Sequence, residues 1–409
     1  MTSPQQPYEG HQQTPHQAVP PNPYALVGEQ QEQTRRSRSA QQEQAAQHEQ
    51  PRVEQHAAPA QYAQHAEQQA QDPQAQQAPP QQQQPQQHGE SARVQELRGK
   101  LAQVRREVAK SVVGQEPAVT GLIIALLAKG HVLLEGVPGV AKTLLVRTLS
   151  SALDLDTKRV QFTPDLMPGD VTGSLIYDAK TGEFEFRRGP VFTNILLADE
   201  INRTPPKTQS SLLESMEERQ VSVDGVTQPL PTPFMVAATM NPIEYEGTYT
   251  LPEAQLDRFL LKLVLDVPER ELEVEVLRRH AAGFNPRDLA AAGVTAVLGA
   301  DDLADAQRAA ATTGVSTDVL SYIVDLARAT RQSPSVRMGV SPRGTTALLA
   351  AAKAWAWLSG YSSVTPDHVQ AMVLPVWRHR LQLRPEAELE GIASDAILRS
   401  ILSSVQVPI

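Results

Sequence analysis

The feature that most constrains this chain is a glycine-containing segment at positions 136–143. An apolar run ends just before it, and a helical pattern follows it. Strand, glycine-containing loop, Lys-Thr and helix is the arrangement that a phosphate-binding P-loop requires. A chance match in a surface loop is the alternative, and the flanking strand and helix patterns argue against it. The segment and the first helical residue after it read Gly136, Val137, Pro138, Gly139, Val140, Ala141, Lys142, Thr143 and Leu144.

The residue types in this segment suit phosphate and metal binding. Backbone N–H groups of such a loop point at phosphate oxygens, and the helix N-terminus adds a positive dipole. Lys142 can reach the β- and γ-phosphates, and the Thr143 hydroxyl can ligate Mg²⁺. Ala141 departs from the general pattern, which has glycine before the lysine. Alanine is tolerable there if the residue is already helical, because it cannot adopt a positive φ cheaply.

Composition excludes several classes of protein. The 409 residues are enough for two or three domains, and the net charge of −9 argues against a nucleic-acid binder. The absence of cysteine excludes disulfides, thiolate catalysis and cysteine-ligated zinc. No apolar run is long enough for a transmembrane helix, and the N-terminus has no signal-peptide pattern. We therefore expect a cytoplasmic protein with no transmembrane segment.

The N-terminal region differs in composition from the rest. Gln supplies 28 of the first 90 residues, Leu26 is the only leucine among them, and isoleucine, phenylalanine and tryptophan are absent. Such a segment cannot bury enough apolar surface to offset the entropy of ordering it. We predict a disordered Gln/Pro-rich tail at 1–92, followed by an α/β core at 93–268 and an all-α domain at 269–409.

The predicted core alternates helices and strands. Helical patterns precede the P-loop strand, and two β-hairpins are predicted at 175–186 and 221–228. Continuous apolar runs at 191–200 and 234–241 are typical of buried strands in a parallel sheet. After residue 268 the pattern is helical, with helices predicted at 269–282, 301–312, 316–331, 342–358 and 365–377.

Polar residues end both apolar strands. Asp199 and Glu200 follow the first, and Asn241 follows the second. Ligands bind at the carboxyl ends of strands in open α/β sheets, so Asp199 would hold Mg²⁺ and Glu200 would polarise the attacking water. Asn241 would place an amide near the γ-phosphate. Solvated acids, or an asparagine turn before Pro242, are the alternatives.

Two arginines are further candidates. Arg258 lies in the segment Gln-Leu-Asp-Arg-Phe, and Arg343 opens a predicted helix after Ser-Pro. Phosphoryl transfer needs extra positive charge on the γ-phosphate, often supplied in trans. Each arginine could instead form a surface ion pair of little energetic consequence.

Together these motifs resemble the MoxR family of AAA+ ATPases, over about residues 95–409. The P-loop, the segments 196–203, 238–242 and 251–259, Val-Gly-Gln before the P-loop and Ser-Pro-Arg in the last domain carry the resemblance. It implies a P-loop AAA+ core with two hairpin inserts, a clade shared with magnesium-chelatase ATPase subunits, and a small helical lid. It also implies that Gly114 and Gln115 contribute to the nucleotide site. Asn241 would be sensor 1, Arg343 would be sensor 2 and act in cis, and Arg258 would be the arginine finger and act in trans, with Arg203 as a second candidate for the finger.

The resemblance also implies a function. We expect an ATPase that uses ATP and Mg²⁺ for chaperone-like remodelling or activation of partner proteins, as a hexameric ring. The family's usual partners are proteins with von Willebrand factor A domains. The motor subunit of a metal-chelatase-like complex, a nucleic-acid translocase and a nucleotide-gated scaffold with little turnover remain as alternatives, and the acidic net charge argues against the translocase.

Overall fold

The computed structural model describes residues 92–180, 182–223, 225–242 and 248–408. The tail predicted to be disordered lies outside these residues, apart from Ala92. Two residues of the predicted hairpin turns, Thr181 and Asp224, also lie outside them. None of the described helices is long and apolar enough to cross a membrane.

The centre of the fold is a five-stranded parallel sheet in the order β2-β5-β8-β1-β9. The strands alternate with helices along the chain, as the sequence pattern predicts for a parallel α/β sheet. Their bounds are β1 (Val132–Glu135), β2 (Thr157–Gln161), β5 (Ile195–Asp199), β8 (Met235–Met240) and β9 (Leu261–Val264).

Alternation along each strand supplies both faces of the sheet with apolar side chains. In β5, Ile195 and Leu197 belong to one buried cluster, and Leu196 and Ala198 belong to another on the opposite face. All four side chains are fully buried. A strand that must be apolar on both faces gives a continuous hydrophobic run, which explains the run seen in the sequence.

Helices cover this sheet. The helix predicted after the P-loop and the two predicted before it are present. The short helix before the first hairpin was not predicted. The core helices are α1 (Ala92–Ala109), α2 (Glu116–Leu127), α3 (Lys142–Ala152), α4 (Pro168–Thr172), α5 (Pro206–Glu218) and α6 (Glu253–Leu256).

Both predicted hairpins are present as separate two-stranded sheets. The first pairs β3 (Gly173–Asp178) with β4 (Glu183–Arg188), and the second pairs β6 (Gln220–Val223) with β7 (Val226–Pro229). Neither joins the central sheet. They therefore project from the core as inserts that the sheet itself does not require.

The C-terminal part is helical, and the five helices predicted there all lie within about a residue of their expected bounds. It also contains a short antiparallel pair, β10 (Val336–Met338) and β11 (Gln382–Leu383), that the pattern did not predict. Two residues are too few to show a period. The helices are α7 (Arg270–Ala281), α8 (Ala300–Ala311), α9 (Thr317–Gln332), α10 (Pro342–Leu358), α11 (Pro366–Trp377), α12 (Pro385–Leu389) and α13 (Ser394–Ser404).

The helical part packs directly on the core. Leu326 and Trp357 belong to the same buried cluster as Leu134 of β1. At this junction the buried guanidinium of Arg380 bonds Asp257 at 2.6 Å and the carbonyl oxygen of Phe259 at 2.7 Å. The boundary predicted at residues 268 and 269 stays a prediction, because one apolar cluster continues across it.

Gly189 at the base of the first hairpin gives a stability prediction. A Cβ added there would lie 2.3 Å from the carbonyl oxygen of Val171 and 2.5 Å from the amide nitrogen of Gly173. Because both atoms are backbone, Gly189→Ala should lower the free energy of unfolding by about 2–4 kcal/mol in urea titrations. Gly99→Ala is the control, since nothing lies near its Cβ and it should instead stabilise α1 by about 0.5–1 kcal/mol. Equal effects of the two substitutions would contradict this explanation.

Candidate active site

The P-loop follows β1 and ends where α3 begins, as predicted. The amide of Gly136 donates to the carbonyl oxygen of Met240 at 3.3 Å, so the loop starts as a continuation of the sheet. A Cβ on Gly136 would lie 2.7 Å from the carbonyl oxygen of Leu265, which explains why glycine is needed for this close approach. The ammonium of Lys142 donates to the carbonyl oxygen of Gly136 across the loop.

Alanine would be tolerable at position 141 if that residue were already helical, and this condition is not met. Ala141 is not helical but adopts the left-handed conformation, with φ of 64° and ψ of 23°, immediately before the first residue of α3. A non-glycine residue in this region has its Cβ too close to the backbone carbonyl, at a cost of about 1–2 kcal/mol. The loop therefore holds strain at the residue that precedes the phosphate-binding lysine.

Asp199 lies at the end of β5 and faces the P-loop. Its Oδ2 accepts a hydrogen bond of 3.4 Å from the Thr143 hydroxyl, and its Oδ1 accepts one of 2.6 Å from the Thr239 hydroxyl. Arg159 of β2 donates to the same Oδ2 from two nitrogens, at 3.0 and 2.6 Å. Thr143 and Asp199, the two predicted metal ligands, thus lie side by side. Arg159 binds the same Asp199 oxygen that accepts the hydrogen bond from Thr143.

Glu200 has a left-handed backbone with φ of 57°. Its amide donates to the Thr239 hydroxyl at 2.9 Å, so one buried threonine positions both acids. Its carboxylate Oε2 accepts from Gln161 at 2.7 Å and forms an ion pair with Arg203 at 3.0 Å. In this structure the Glu200 carboxylate is therefore held by two protein partners at the same oxygen, Oε2.

The cavity beside the P-loop has a volume of about 880 Å³. This is a size that suits a small-molecule or cofactor site. Among the residues predicted from the sequence, those that line it are Gln115, Val137, Pro138, Gly139, Val140, Ala141, Lys142, Thr143, Leu144, Asp199, Glu200 and Asn241.

The lid contributes a wall of this cavity that the sequence analysis missed. Leu277 and His280 of α7 line it, as does Phe284 after the helix. The rings of His280 and Phe284 meet edge to face with centroids 5.5 Å apart. Val112 and Val113, which precede Gly114 in the chain, also line the cavity. The sequence feature that could have indicated this wall is the presence of apolar residues within the charged segment of α7. In the structure this helix buries none of its own side chains.

Four predicted site residues do not line this cavity: Gly114, Gly136, Arg258 and Arg343. The two glycines are chain neighbours of Val113, Gln115 and Val137, which do line it. Arg343 was expected to contact nucleotide within its own subunit, and in this structure it lies elsewhere. Arg258 and Arg343 line a second, smaller cavity between the core and the lid.

Glu217 joins these two arginines. Its Oε2 accepts from Arg258 at 2.8 Å and its Oε1 from Arg343 at 3.1 Å. The hydrogen bond from Arg258 is the main cause that holds the pKa of Glu217 below its usual range. Lys129 and Arg219 line the same cavity. In this conformation Arg258 and Arg343 therefore form ion pairs, as the alternative interpretation predicts. Together with Lys129 and Arg219 they form what we call the basic surface.

The residues present fit a magnesium–nucleotide complex. Mg²⁺ in proteins usually has one or two protein ligands and takes the remainder from water and substrate phosphates. Thr143 and Asp199 supply a hydroxyl and a carboxylate oxygen 3.4 Å apart. In the described part of the chain, no cluster of three or more His, Asp and Glu forms a metal site by itself. A complete coordination shell at this position would therefore need further oxygens from water or phosphate.

Comparison with known proteins agrees with this geometry. Residues 131–261 match the model of the ATPase family associated with various cellular activities (AAA), and residues 328–401 match an AAA lid domain. The uncharacterized protein YeaC of Bacillus subtilis is 49% identical over 77% of this chain and 97% of its own length. The chaperone MoxR1 of Mycobacterium tuberculosis is 43% identical over 74% of this chain and 81% of its own. The crystal structure of a candidate ATPase from Cytophaga hutchinsonii is 41% identical, with a TM-score of 0.71, over 78% of this chain and 97% of that one.

The left-handed Ala141 gives a prediction for stability. Ala141→Gly should raise the free energy of unfolding by about 0.5–1 kcal/mol, because glycine adopts this φ without the clash. Thermal unfolding followed by circular dichroism measures the effect. Ala141→Val is the opposite variant and should destabilise the protein, since a β-branched residue tolerates positive φ least. A lower melting temperature for Ala141→Gly would contradict the strain.

Proposed function

We propose, from the premise that this chain belongs to the MoxR family of AAA+ ATPases, that it hydrolyses Mg·ATP to remodel or activate partner proteins as a subunit of a hexameric ring. The observation that carries the proposal is the convergence of three strand ends on one cavity. The P-loop after β1, both acids after β5 and Asn241 after β8 line the same space. Few other chemistries need a phosphate cradle, a metal carboxylate and a second acid together.

Each residue has a role in this reaction. The P-loop backbone and Lys142 hold the phosphates, and Thr143 and Asp199 hold the metal, which would neutralise charge on the β- and γ-phosphates. Glu200 accepts a proton from the attacking water after its carboxylate has separated from Gln161 and Arg203. Asn241, which is buried beside the acids, would orient that water against the γ-phosphate. Leu277, His280 and Phe284 would cover the base, so that nucleotide binding reports on the position of the lid.

The basic surface supports an assembled ring. Arg258 and Arg343 do not line the cavity of their own subunit. A cyclic assembly places one surface of each subunit against a different surface of the next. We propose that both arginines reach the nucleotide of the neighbouring subunit, where they replace Glu217 with phosphate. This revises the role in cis expected for Arg343.

The first hairpin is the proposed contact for the partner protein. Tyr177 and Phe184 face each other across it, with ring centroids 5.4 Å apart. Their exposed fractions are 56% and 69%. Exposed aromatic pairs of this kind are typical of surfaces that bind other proteins. A von Willebrand factor A domain is the partner class that the family resemblance implies.

The role of Glu200 has a direct test. Glu200→Gln should bind ATP normally and lower the turnover number by about a hundredfold or more, because the amide cannot accept the proton of water. Phosphate release and the binding of a fluorescent ATP analogue measure the two properties. Lys142→Ala is the matched contrast and should lose nucleotide binding itself. Unchanged turnover in Glu200→Gln would contradict the role of Glu200 as the base. ATP binding with negligible turnover by the unaltered protein, even beside its partner, would instead favour the nucleotide-gated scaffold.

The placement of Arg258 in trans predicts complementation. Arg258→Ala and Glu200→Gln should each be nearly inactive alone. Mixed in one assembly, the intact cavity of the first variant faces the intact arginine of the second, so turnover should partly return. Glu200→Gln mixed with Lys142→Ala is the control, because both of those defects lie in the cavity. Mixing without any gain, in assemblies confirmed by light scattering, would contradict the action of Arg258 in trans.

A further inference from the structure

The part of the site that the ATPase mechanism leaves unexplained is Arg159. It lies on β2, the edge strand of the sheet, and its side chain is 51% exposed. Its two bonds end on Oδ2 of Asp199, whose side chain is only 11% exposed. This is the oxygen that faces the Thr143 hydroxyl. An arginine therefore binds the carboxylate oxygen that the metal would need.

We infer that Arg159 is a positioning residue that occupies the place of the metal: it neutralises Asp199 in the nucleotide-free subunit and releases Oδ2 when the metal–nucleotide complex binds. The inference rests on the proposed function, since it assigns a residue to the same site. Oδ1 accepts a hydrogen bond of 2.6 Å from the buried Thr239 hydroxyl, whereas Oδ2 is the oxygen next to the predicted metal ligand Thr143. Oδ2 is thus the atom for which the guanidinium and the metal compete.

The energetics favour an exchange of this kind. A nearly buried carboxylate without a counter-charge is costly, so the empty site benefits from a cation. A half-exposed arginine can return to water at little cost, because exposed ion pairs contribute about 1 kcal/mol or less. A divalent ion carries twice the charge of the guanidinium, and a carboxylate together with phosphate oxygens is the ligand set that Mg²⁺ usually takes. The ion pair between Arg159 and Asp199 is therefore strong enough to neutralise the carboxylate when no metal is bound. It is also weak enough for the metal to displace the guanidinium.

The same arginine connects the metal position with Glu200. Arg159 Nη2 also donates to Oε1 of Gln161 at 2.9 Å, and Nε2 of Gln161 donates to Glu200 at 2.7 Å. The bond from Arg159 fixes which end of the Gln161 amide faces Glu200. When Arg159 leaves Asp199, this constraint on the amide is lost. Occupation of the metal position thereby weakens the hold on the acid that must accept a proton.

Removing the arginine should change two binding constants in opposite directions. In Arg159→Gln, the uncompensated Asp199 repels a metal-free triphosphate, so binding of the non-hydrolysable analogue AMP-PNP in EDTA should weaken. The same carboxylate is then free for the metal, so Mn²⁺ should half-saturate the protein–AMP-PNP complex at a lower concentration. We expect about three- to tenfold for each change, from the size of a partly exposed charge pair.

The experiment uses the full-length protein freed of nucleotide. Calorimetry measures AMP-PNP binding in EDTA, and the paramagnetic signal of free Mn²⁺ measures metal binding. Lys158→Gln is the matched control, because it removes the same charge from the adjacent residue, whose ammonium bonds the carbonyl oxygen of Phe192 instead. Both of its constants should stay within about twofold of those of the unaltered protein.

Two changes of the same sign, or no change in Arg159→Gln, would overturn the inference. If that variant does not fold, Arg159→Lys takes its place. It keeps the charge but loses the two-nitrogen contact, so it should show the same pair of shifts at a smaller size, and constants equal to those of the unaltered protein would count against the inference. Failure of the unaltered protein to bind AMP-PNP in either buffer would instead sink the proposed ATPase function. The two failures are therefore distinguishable.

Discussion

The parallel register of β5, β8 and β1 is the constraint on which the rest of the structure depends. Because the three strands are neighbours and run in the same direction, their carboxyl ends meet at one edge. Leu134 pairs with Thr239, and Ala198 with Ala238, so segments that are distant in the chain come together. The P-loop, the paired acids and Asn241 share a cavity for this reason. Slipping one strand by a residue would turn the apolar side chains to the wrong faces and separate the site.

Charge pairing is the second organising interaction, and it gives the nucleotide-free protein a defined state. Asp199 is bound by Arg159, Glu200 by Arg203, and Glu217 by both Arg258 and Arg343. In a partly buried site an unpaired charge is costly, and the attraction between partners is stronger than in water. In the function proposed above, binding of a metal–triphosphate complex would exchange these pairs for contacts with phosphate and metal. Turnover would then be coupled to changes in side-chain partners at both the cavity and the basic surface.

The lid takes part in the site because it shares a core with the sheet. One buried cluster runs from β1 and α3 into α9, α10 and α11, and the buried Arg380 bonds the chain just before β9. By contrast, α7 buries none of its residues, and its apolar side chains line the cavity. A helix with an uncovered apolar face beside a base-sized space gains burial when a base fills it. The buried helices α9, α10 and α11 thus position α7, whose apolar face a bound base would cover.

Patterns in the amino-acid sequence were sufficient to predict the class of fold, the two hairpins, most helices of the lid and the cavity residues from Val137 to Leu144 with Asp199, Glu200 and Asn241. These follow from local periodicity and from motifs whose residues are close in the chain. Four features became visible only in the folded chain: the left-handed Ala141, the lid wall at His280, the position of Arg343 beside Glu217 and the bond from Arg159 to Asp199. Each of these depends on which distant segments become neighbours, and a local pattern carries no information about such pairs.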